Sequence, residues 1–370
     1  MTTLPIIHTP GDHGNAGFLH GRAVYDIFEP AFVRNYLDHL SDAIGFTLDD
    51  LEQQASAWMD ALPHHFQDEI VGMAHGAGVP IGTVCEVLYA DIARPSRGPG
   101  EPRTTTDRVV SSGPMCSALI ATLDDGRPWL GRNCDWLTPT LLRGTAGVVH
   151  RAPNRIPSIG VGIRGDVDID TGMNAEGLWL HLHTVHAADP EPEDREVISW
   201  LFWAREALET CATIDEVGSF VARTGRDKGV LAICLEGRTG LAAVFECGRG
   251  THTRHDLDLG SLRGPACLTN HSPSKPHDES APWRGPGGGT IGRYRALRAT
   301  VRETPPRTGP DDLVRTLARE GVEMRTPRWL RTIYSCVVEP RARALWFADG
   351  RADGTPAASG GRWSRVHWDW

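Results

Sequence analysis

The sequence predicts an α+β protein, a helical N-terminal segment followed by a layered body of strands and helices. Three observations predict it. Apolar residues up to about residue 94 recur at helical spacing. A stretch rich in proline and glycine then runs over residues 95–114 and reads as an exposed linker. Beyond it the apolar period becomes two, and helices return only in blocks between strands.

The elements follow in order. Phe32, Val33, Tyr36, Leu37 and Leu40 place a helix over residues 31–40. Thr47 is a candidate N-cap for a second helix running to Leu62. Further helices are expected over 66–76 and 81–94, with Gly76 and Gly78 as stops. After the linker, residues 117–122 form a strand, Asp124-Asp125-Gly126 a hairpin turn, and 128–131 the return. Strands are expected near 147–151, 158–164 and 177–183, and helices over 196–210 and 214–223. Strands resume at 230–235, 241–246 and 266–269, followed by a second Pro/Gly-rich loop over 273–289. Helices at 290–301 and 311–319 and strands at 332–338 and 344–348 complete the body. Trp363, Trp368 and Trp370 suggest a packed edge strand at the C-terminus.

The 370 residues carry 38 basic and 47 acidic side chains, a net charge of −9, with no basic run. That disfavours a non-specific nucleic-acid binder. No apolar run reaches membrane-span length, and the first residues lack a signal peptide's basic and apolar regions. The expectation is a cytoplasmic protein with no membrane partner. Only Lys228 and Lys275 are lysine, a bias expected of a GC-rich bacterial genome. None of the eight cysteines forms a Cys-x-x-Cys pair, against a disulfide framework or a zinc knuckle in that compartment.

Cys116 stands apart from the other thiols. It follows the linker and opens a strand. Arg132 lies sixteen residues on and Asp135 nineteen, where the return strand of the hairpin passes Cys116. The hairpin is therefore expected to set a cation and a carboxylate beside the thiol. Competing readings are an inert buried thiol for Cys116, a strand-end turn residue for Asp135, and a structural Arg132–Asp135 ion pair. His181 and His183 alternate on one strand, but no third ligand stands at a telling spacing. Pocket lining is favoured over zinc, and no metal is expected.

Around Cys116, the segments Met115-Cys116-Ser117 and Gly131-Arg132-Asn133-Cys134-Asp135 resemble the start of the mature chain in cysteine N-terminal-nucleophile (Ntn) hydrolases. Upstream, His20-Gly21-Arg22-Ala23 and Glu69 to Gly76 are similar to pro-region segments of the acyl-coenzyme A:6-aminopenicillanic acid acyltransferase family. Downstream, Met173-Asn174-Ala175-Glu176-Gly177-Leu178, Leu268-Thr269-Asn270-His271 and Thr332-Ile333-Tyr334 match in order. The resemblance implies a four-layer αββα sandwich with an N-terminal helical pro-region. Residues 1–115 would be the pro-region and 116–370 the catalytic body.

The same resemblance implies self-cleavage between Met115 and Cys116, leaving the two pieces as a heterodimer. The freed α-amine, titrating near pH ~7.7–8.0, would act as base for its own thiol. Asp135 would hold that amine, and Asn270 would donate to the oxyanion. Arg132 matches the arginine near the thiol in bile-salt hydrolases. Arg293 resembles their later arginine, with Arg295 and Arg328 as alternatives and a helix-surface position as the competing reading. His183 and Thr184 fall near the strand end where relatives place the second oxyanion donor, and His181 to His183 where they put the acyl pocket, so all three are assigned to substrate binding. Met115 departs from the small residue usual before the nucleophile. The implied substrate is a small-molecule amide or acyl thioester. No cofactor is implied, though a coenzyme A thioester is a candidate acyl donor. Three functions compete: amide hydrolysis, acyl transfer to an amine, and ligand binding by an unprocessed relative.

Overall fold

The computed structural model describes residues 4–94, 115–259, 265–273, 289–325 and 329–370. The linker of 95–114 and most of the loop expected over 273–289 lie outside them, as does Arg328.

The chain opens with a strand, β1 (Ile6–Pro10), and five helices: α1 (His13–Ala23), α2 (Pro30–Ile44), α3 (Leu48–Asp60), α4 (His64–Ala77) and α5 (Ile81–Tyr89). Thr47 caps α3, its hydroxyl accepting from the Asp50 N–H at 3.2 Å. The N-terminal segment is thus not purely helical, because β1 pairs in parallel with a strand of the body. A two-residue apolar start, Ile6-Ile7, ending in Pro10 gives too short a pattern to read as a strand. Helix α1 also went unforeseen. Its sequence is glycine-rich and a poor helix former, and contact with α4 sustains it. A Cβ on Gly21 would collide with the Met73 carbonyl, and one on Gly72 with that of Gly14. Glycine there lets the two backbones touch.

The body holds β2 (Met115–Thr122), β3 (Pro128–Leu137), β4 (Thr145–Arg151), β5 (Ser158–Ile163), β6 (Thr171–Asn174), β7 (Leu178–Val185) and β8 (Val197–Ile198). Helices α6 (Trp200–Thr210) and α7 (Ile214–Arg223) follow. Next come β9 (Gly225–Arg226), β10 (Gly229–Glu236), β11 (Ala242–Cys247), β12 (His252–Asp256) and β13 (Ala266–Leu268). Helices α8 (Gly289–Glu303) and α9 (Pro310–Leu317), strands β14 (Leu330–Glu339) and β15 (Ala344–Asp349), α10 (Ala357–Gly360) and β16 (Ser364–Val366) close the chain. Two sheets form the centre, ordered β1-β4-β5-β6-β7-β10-β11-β12 and β13-β2-β3-β14-β15-β16. Helices α6 and α7 cover the eight-stranded sheet, and α8, α9 and α10 cover the six-stranded one. This is the expected four-layer αββα sandwich. The C-terminal tryptophans differ from expectation. The edge strand is only β16, which excludes Trp363, Trp368 and Trp370. Trp363 instead donates to the Ala358 carbonyl at 2.9 Å.

Buried charge ties the N-terminal helices to the body. Glu69 of α4 accepts from Arg205 of α6 at 2.7 and 2.8 Å and pairs with His13 at 2.8 Å. His20, fully buried nearby, has neither ring nitrogen hydrogen-bonded. Burial is the main cause that lowers its pKa from 6.5 to about 4. Between those values the unfolded chain takes up a proton that the folded chain refuses. Stability from this residue is therefore full above pH 6.5 and lost as pH falls toward 4. Wild-type protein should lose about 2–3 kcal/mol more than His20→Leu over that descent, read from urea unfolding at each pH. Equal slopes would refute it.

Candidate active site

The hairpin of β2 and β3 fixes the site. Gly126, with φ of +74°, makes its turn. The register sets Met115 opposite Asp135, Cys116 opposite Cys134 and Ala118 opposite Arg132. Alternation along a strand then sends Cys116, Cys134 and Arg132 to one face, and Met115, Ser117 and Asp135 to the other.

The first face looks onto the eight-stranded sheet. Arg132 is buried, and its Nη2 donates to Cys116 Sγ at 3.3 Å, to the Leu182 carbonyl at 3.2 Å and to Asp170 Oδ2 at 3.1 Å. Tyr334 donates to Asp170 Oδ1 at 2.9 Å and meets the Thr171 hydroxyl at 2.6 Å. Burial alone would push the Cys116 thiol up. The Cys134 thiol and the Arg132 guanidinium outweigh it, so Cys116 lies below the ordinary cysteine value. Burial instead raises Cys85, Cys211, Cys234, Cys247, Cys267 and Cys336. Arg132→Gln should slow iodoacetamide labelling of Cys116 at pH 7 at least about tenfold and raise the pH of half-maximal labelling. Peptide mapping keeps Cys116 distinct from Cys134. Unchanged labelling would remove Arg132 as the cause.

The second face looks onto α8 and carries two corrections. Asp135 does not sit beside the thiol. Positions 132 and 135 differ by an odd number, so their side chains part. Arg132 pairs with Asp170, not Asp135. Asp135 accepts from the Thr332 hydroxyl at 2.6 Å and lies 3.5 Å from Arg293 Nε. Its Oδ2 has no hydrogen-bond partner, and burial raises its pKa to about 6. Arg293 is not a helix-surface arginine. It is buried, donating to Ser117 Oγ at 3.2 Å, the Cys116 carbonyl at 3.4 Å and Asn270 Oδ1 at 2.9 Å. Arg295, the alternative, is partly exposed. The Cys116 N–H donates to Asn270 Oδ1 at 2.6 Å, and Asn270 Nδ2 donates to the Thr184 carbonyl at 3.0 Å.

The Thr332-Ile333-Tyr334 motif gains a physical meaning here. A bulge falls between Thr332 and Tyr334, which pair with Asp135 and Cys134 respectively. One strand thereby serves Asp135 on one face and Asp170 on the other. Asn174, from another matched segment, is structural. Its Oδ1 accepts from the Glu176 and Leu178 N–H groups at 3.1 and 3.0 Å, building the β6–β7 turn.

Three of the site's groups escaped the sequence reading: Asp170, Thr171 and the Tyr334 hydroxyl. Their signal was the alternation Asp166, Asp168, Asp170. A cavity beside Cys134 is walled by Asp168, Asp170, Tyr334, Trp58, Trp200 and Phe202. His181 and His183 are buried with their rings 5.1 Å apart. His181 Nδ1 accepts from Trp179 Nε1 at 3.0 Å, and His183 Nδ1 donates to the Thr269 carbonyl at 3.2 Å. Burial drives both pKa values well below the usual imidazole range. Among the described residues no group of three His, Cys, Asp or Glu side chains is placed to hold a metal ion.

The protein-family model for acyl-coenzyme A:6-aminopenicillanic acid acyl-transferase matches residues 122–353, more than half of the chain. The chain belongs to this family. As a member of the acyl-transferase family it is an enzyme of the acylase or acyltransferase type. Arg132, Asp135, Asn270 and Arg293 lie inside the matched span, and Cys116 lies just before it. Solved structures similar to this family member share little sequence with it. A mutant of conjugated bile acid hydrolase from Clostridium perfringens is 14% identical at a TM-score of 0.47, covering 69% of this chain and 97% of its own. Penicillin V acylase from Agrobacterium tumefaciens is 15% identical at 0.47, covering 64% and 83%. A Caenorhabditis elegans N-acylethanolamine-hydrolyzing acid amidase ortholog is 17% identical at 0.46, covering 61% and 93%. No curated protein sequence matches the chain. Among the described residues no single helix is long and apolar enough to cross a membrane, although the bent pair His64–Ala77 and Ile81–Ile92 passes by length and composition.

Proposed function

We propose that the protein is a self-processing cysteine amidohydrolase that cleaves an N-acyl or peptide-like small molecule through a thioester acyl-enzyme. One observation carries the reading. Arg132 stands 3.3 Å from the Cys116 thiol on one face, while Arg293 and Asn270 bind the Cys116 backbone on the other.

Maturation begins with attack of Cys116 Sγ on the Met115 carbonyl carbon. The peptide nitrogen is expelled and becomes the α-amine of Cys116. Water then hydrolyses the resulting thioester, leaving Met115 with a carboxylate and Cys116 with a free thiol. Departure of Met115 would uncover its register partner Asp135, whose Oδ2, 3.5 Å from Arg293 Nε and without a hydrogen bond, can then accept from the new amine. In turnover that amine takes the thiol proton, the thiolate attacks the substrate carbonyl, and the proton passes to the leaving amine. Asn270 is the donor assigned to the oxyanion, and His181, His183 and Thr184 are assigned to substrate. Water releases the acyl group as an acid. An amine in its place makes the enzyme an acyltransferase, with a coenzyme A thioester as a further acyl donor. Hydrolysis is favoured because transfer must exclude water.

The N-terminal segment stays bound as the smaller chain of a heterodimer, a reading supported by β1 in the large sheet and by Glu69 on Arg205. A bacterial cytoplasm and a part in natural-product tailoring complete the proposal, with no nucleic acid or membrane as partner.

Intact mass of the purified protein tests this reading. Pieces of 115 and 255 residues are expected, the larger one starting at Cys116. A chain that stays whole and shows no hyper-reactive thiol favours the binding relative. Given an active enzyme, an added amine that diverts product from the free acid identifies transfer.

A further inference from the structure

Cys134 takes no part in the steps above, yet it is the residue directly opposite Cys116. We propose that it is a resolving thiol: oxidation by a hydroperoxide joins Cys134 to Cys116 in a cross-strand disulfide that closes the site reversibly. Loss of activity on closure rests on Cys116 being the nucleophile; formation of the disulfide does not.

The geometry is that of a bridgeable pair. Residues directly opposed in an antiparallel ladder have Cα atoms about 4.5–5.5 Å apart, inside the roughly 4.4–6.8 Å that a disulfide spans. Both side chains leave the sheet on the same face, and both are buried. The two thiols are chemically unequal. Arg132 Nη2 lies 3.3 Å from Cys116 Sγ and stabilises its thiolate, so Cys116 reacts first. Cys134 stays a thiol, its Sγ 4.0 Å from Asp170 Oδ2. It also lines the cavity, which brings a small oxidant up to the Cys134 side of the pair. Cys336 is the nearest competitor on the same face. It pairs across from Arg132 rather than from Cys116, one strand further away.

The step balances. The Cys116 thiolate takes the terminal oxygen of hydrogen peroxide, becoming a sulfenic acid and releasing hydroxide. Cys134 sulfur then displaces the sulfenic oxygen, which leaves as water with the Cys134 proton, and the released hydroxide takes up the proton that Cys116 lost on ionising. Two thiols and one peroxide give one disulfide and two waters. Without a partner thiol, further peroxide carries the sulfenic acid to sulfinic and sulfonic acids, which reductants do not restore.

The test uses the full protein as purified, exposed to hydrogen peroxide, quenched by alkylation and mapped without reduction. The expected wild-type product is lighter by two hydrogens and yields a Cys116–Cys134 linked peptide. Its activity is lost and returns with dithiothreitol. Cys134→Ser should form no link, gain two or three oxygens at Cys116 and stay inactive after reduction. Wild-type protein overoxidised at Cys116 with no link, or linked to Cys336, overturns the proposal, and this map decides the matter even if the variant fails to fold. An active enzyme that forms no link loses the switch and keeps the catalytic reading. A linked protein that never shows activity loses the catalytic reading and keeps the disulfide.

Discussion

Alanine at Cys116 is expected to leave a single 370-residue chain with no turnover. Two steps fail for one reason. Cleavage needs a nucleophile on the residue after the scissile bond, and turnover needs the same sulfur to hold the acyl group. Neither Arg132 nor Arg293 can replace it, because both remain cations. Removal of a nucleophile elsewhere costs on the order of 10⁴-fold or more in rate. The expected loss here is to the limit of detection, read by acid release from an N-acyl substrate. Serine keeps an attacking atom but a poorer one, so Cys116→Ser should cleave slowly rather than not at all. An alanine variant that still splits before residue 116 would show that another group cuts the chain.

Glu69→Gln should destabilise the folded protein by about 3–5 kcal/mol. Glu69 holds the Arg205 guanidinium through two hydrogen bonds of 2.7 and 2.8 Å, and all the atoms concerned are buried. The carboxyl lies well below its usual range. Burial opposes this, but the Arg205 charge and the His13 hydrogen bond prevail. Glutamine keeps the shape and removes the charge. Among the described residues Arg205 is then left with Glu209 as its carboxylate partner, which Arg155 already approaches at 3.4 Å. Urea unfolding measures the loss, and size exclusion of the processed protein should show the N-terminal piece separating from the body. A loss below about 1 kcal/mol would mean that the ion pair contributes no more than a surface pair does.

Much of the fold was legible from local pattern. The hairpin around Asp124-Asp125-Gly126, the cap at Thr47 and the switch from helical to alternating period lie within short windows of sequence. What escaped depends on distant contacts. Helix α1 exists because glycines let it lie against α4, and β1 because β4 offers it an edge. In the site, the residues along β3 were legible but their faces were not. Alternation along β3 parts Arg132 from Asp135, and the bulge at Ile333 leaves no mark in the sequence. Arg293 shares its helix with Arg295, Arg298 and Arg302. Nothing local distinguishes the arginine that turns inward, and only the packing of α8 on β2 selects it.

The reach of Asn270 and Arg293 back to Cys116 also sets a timetable. These residues leave the ribosome more than 150 positions after the bond they hold, and β1 waits still longer than its helical neighbours for its partner β4. A bond cut early would free the first segment before the sheet that needs it had formed. Because the proposed cutting machinery needs late-made parts, the cut would come after the core has closed. Under the proposed processing, cleavage would work as a certificate of folding, since a molecule that carries a free Cys116 amine would already have Asn270 and Arg293 in place.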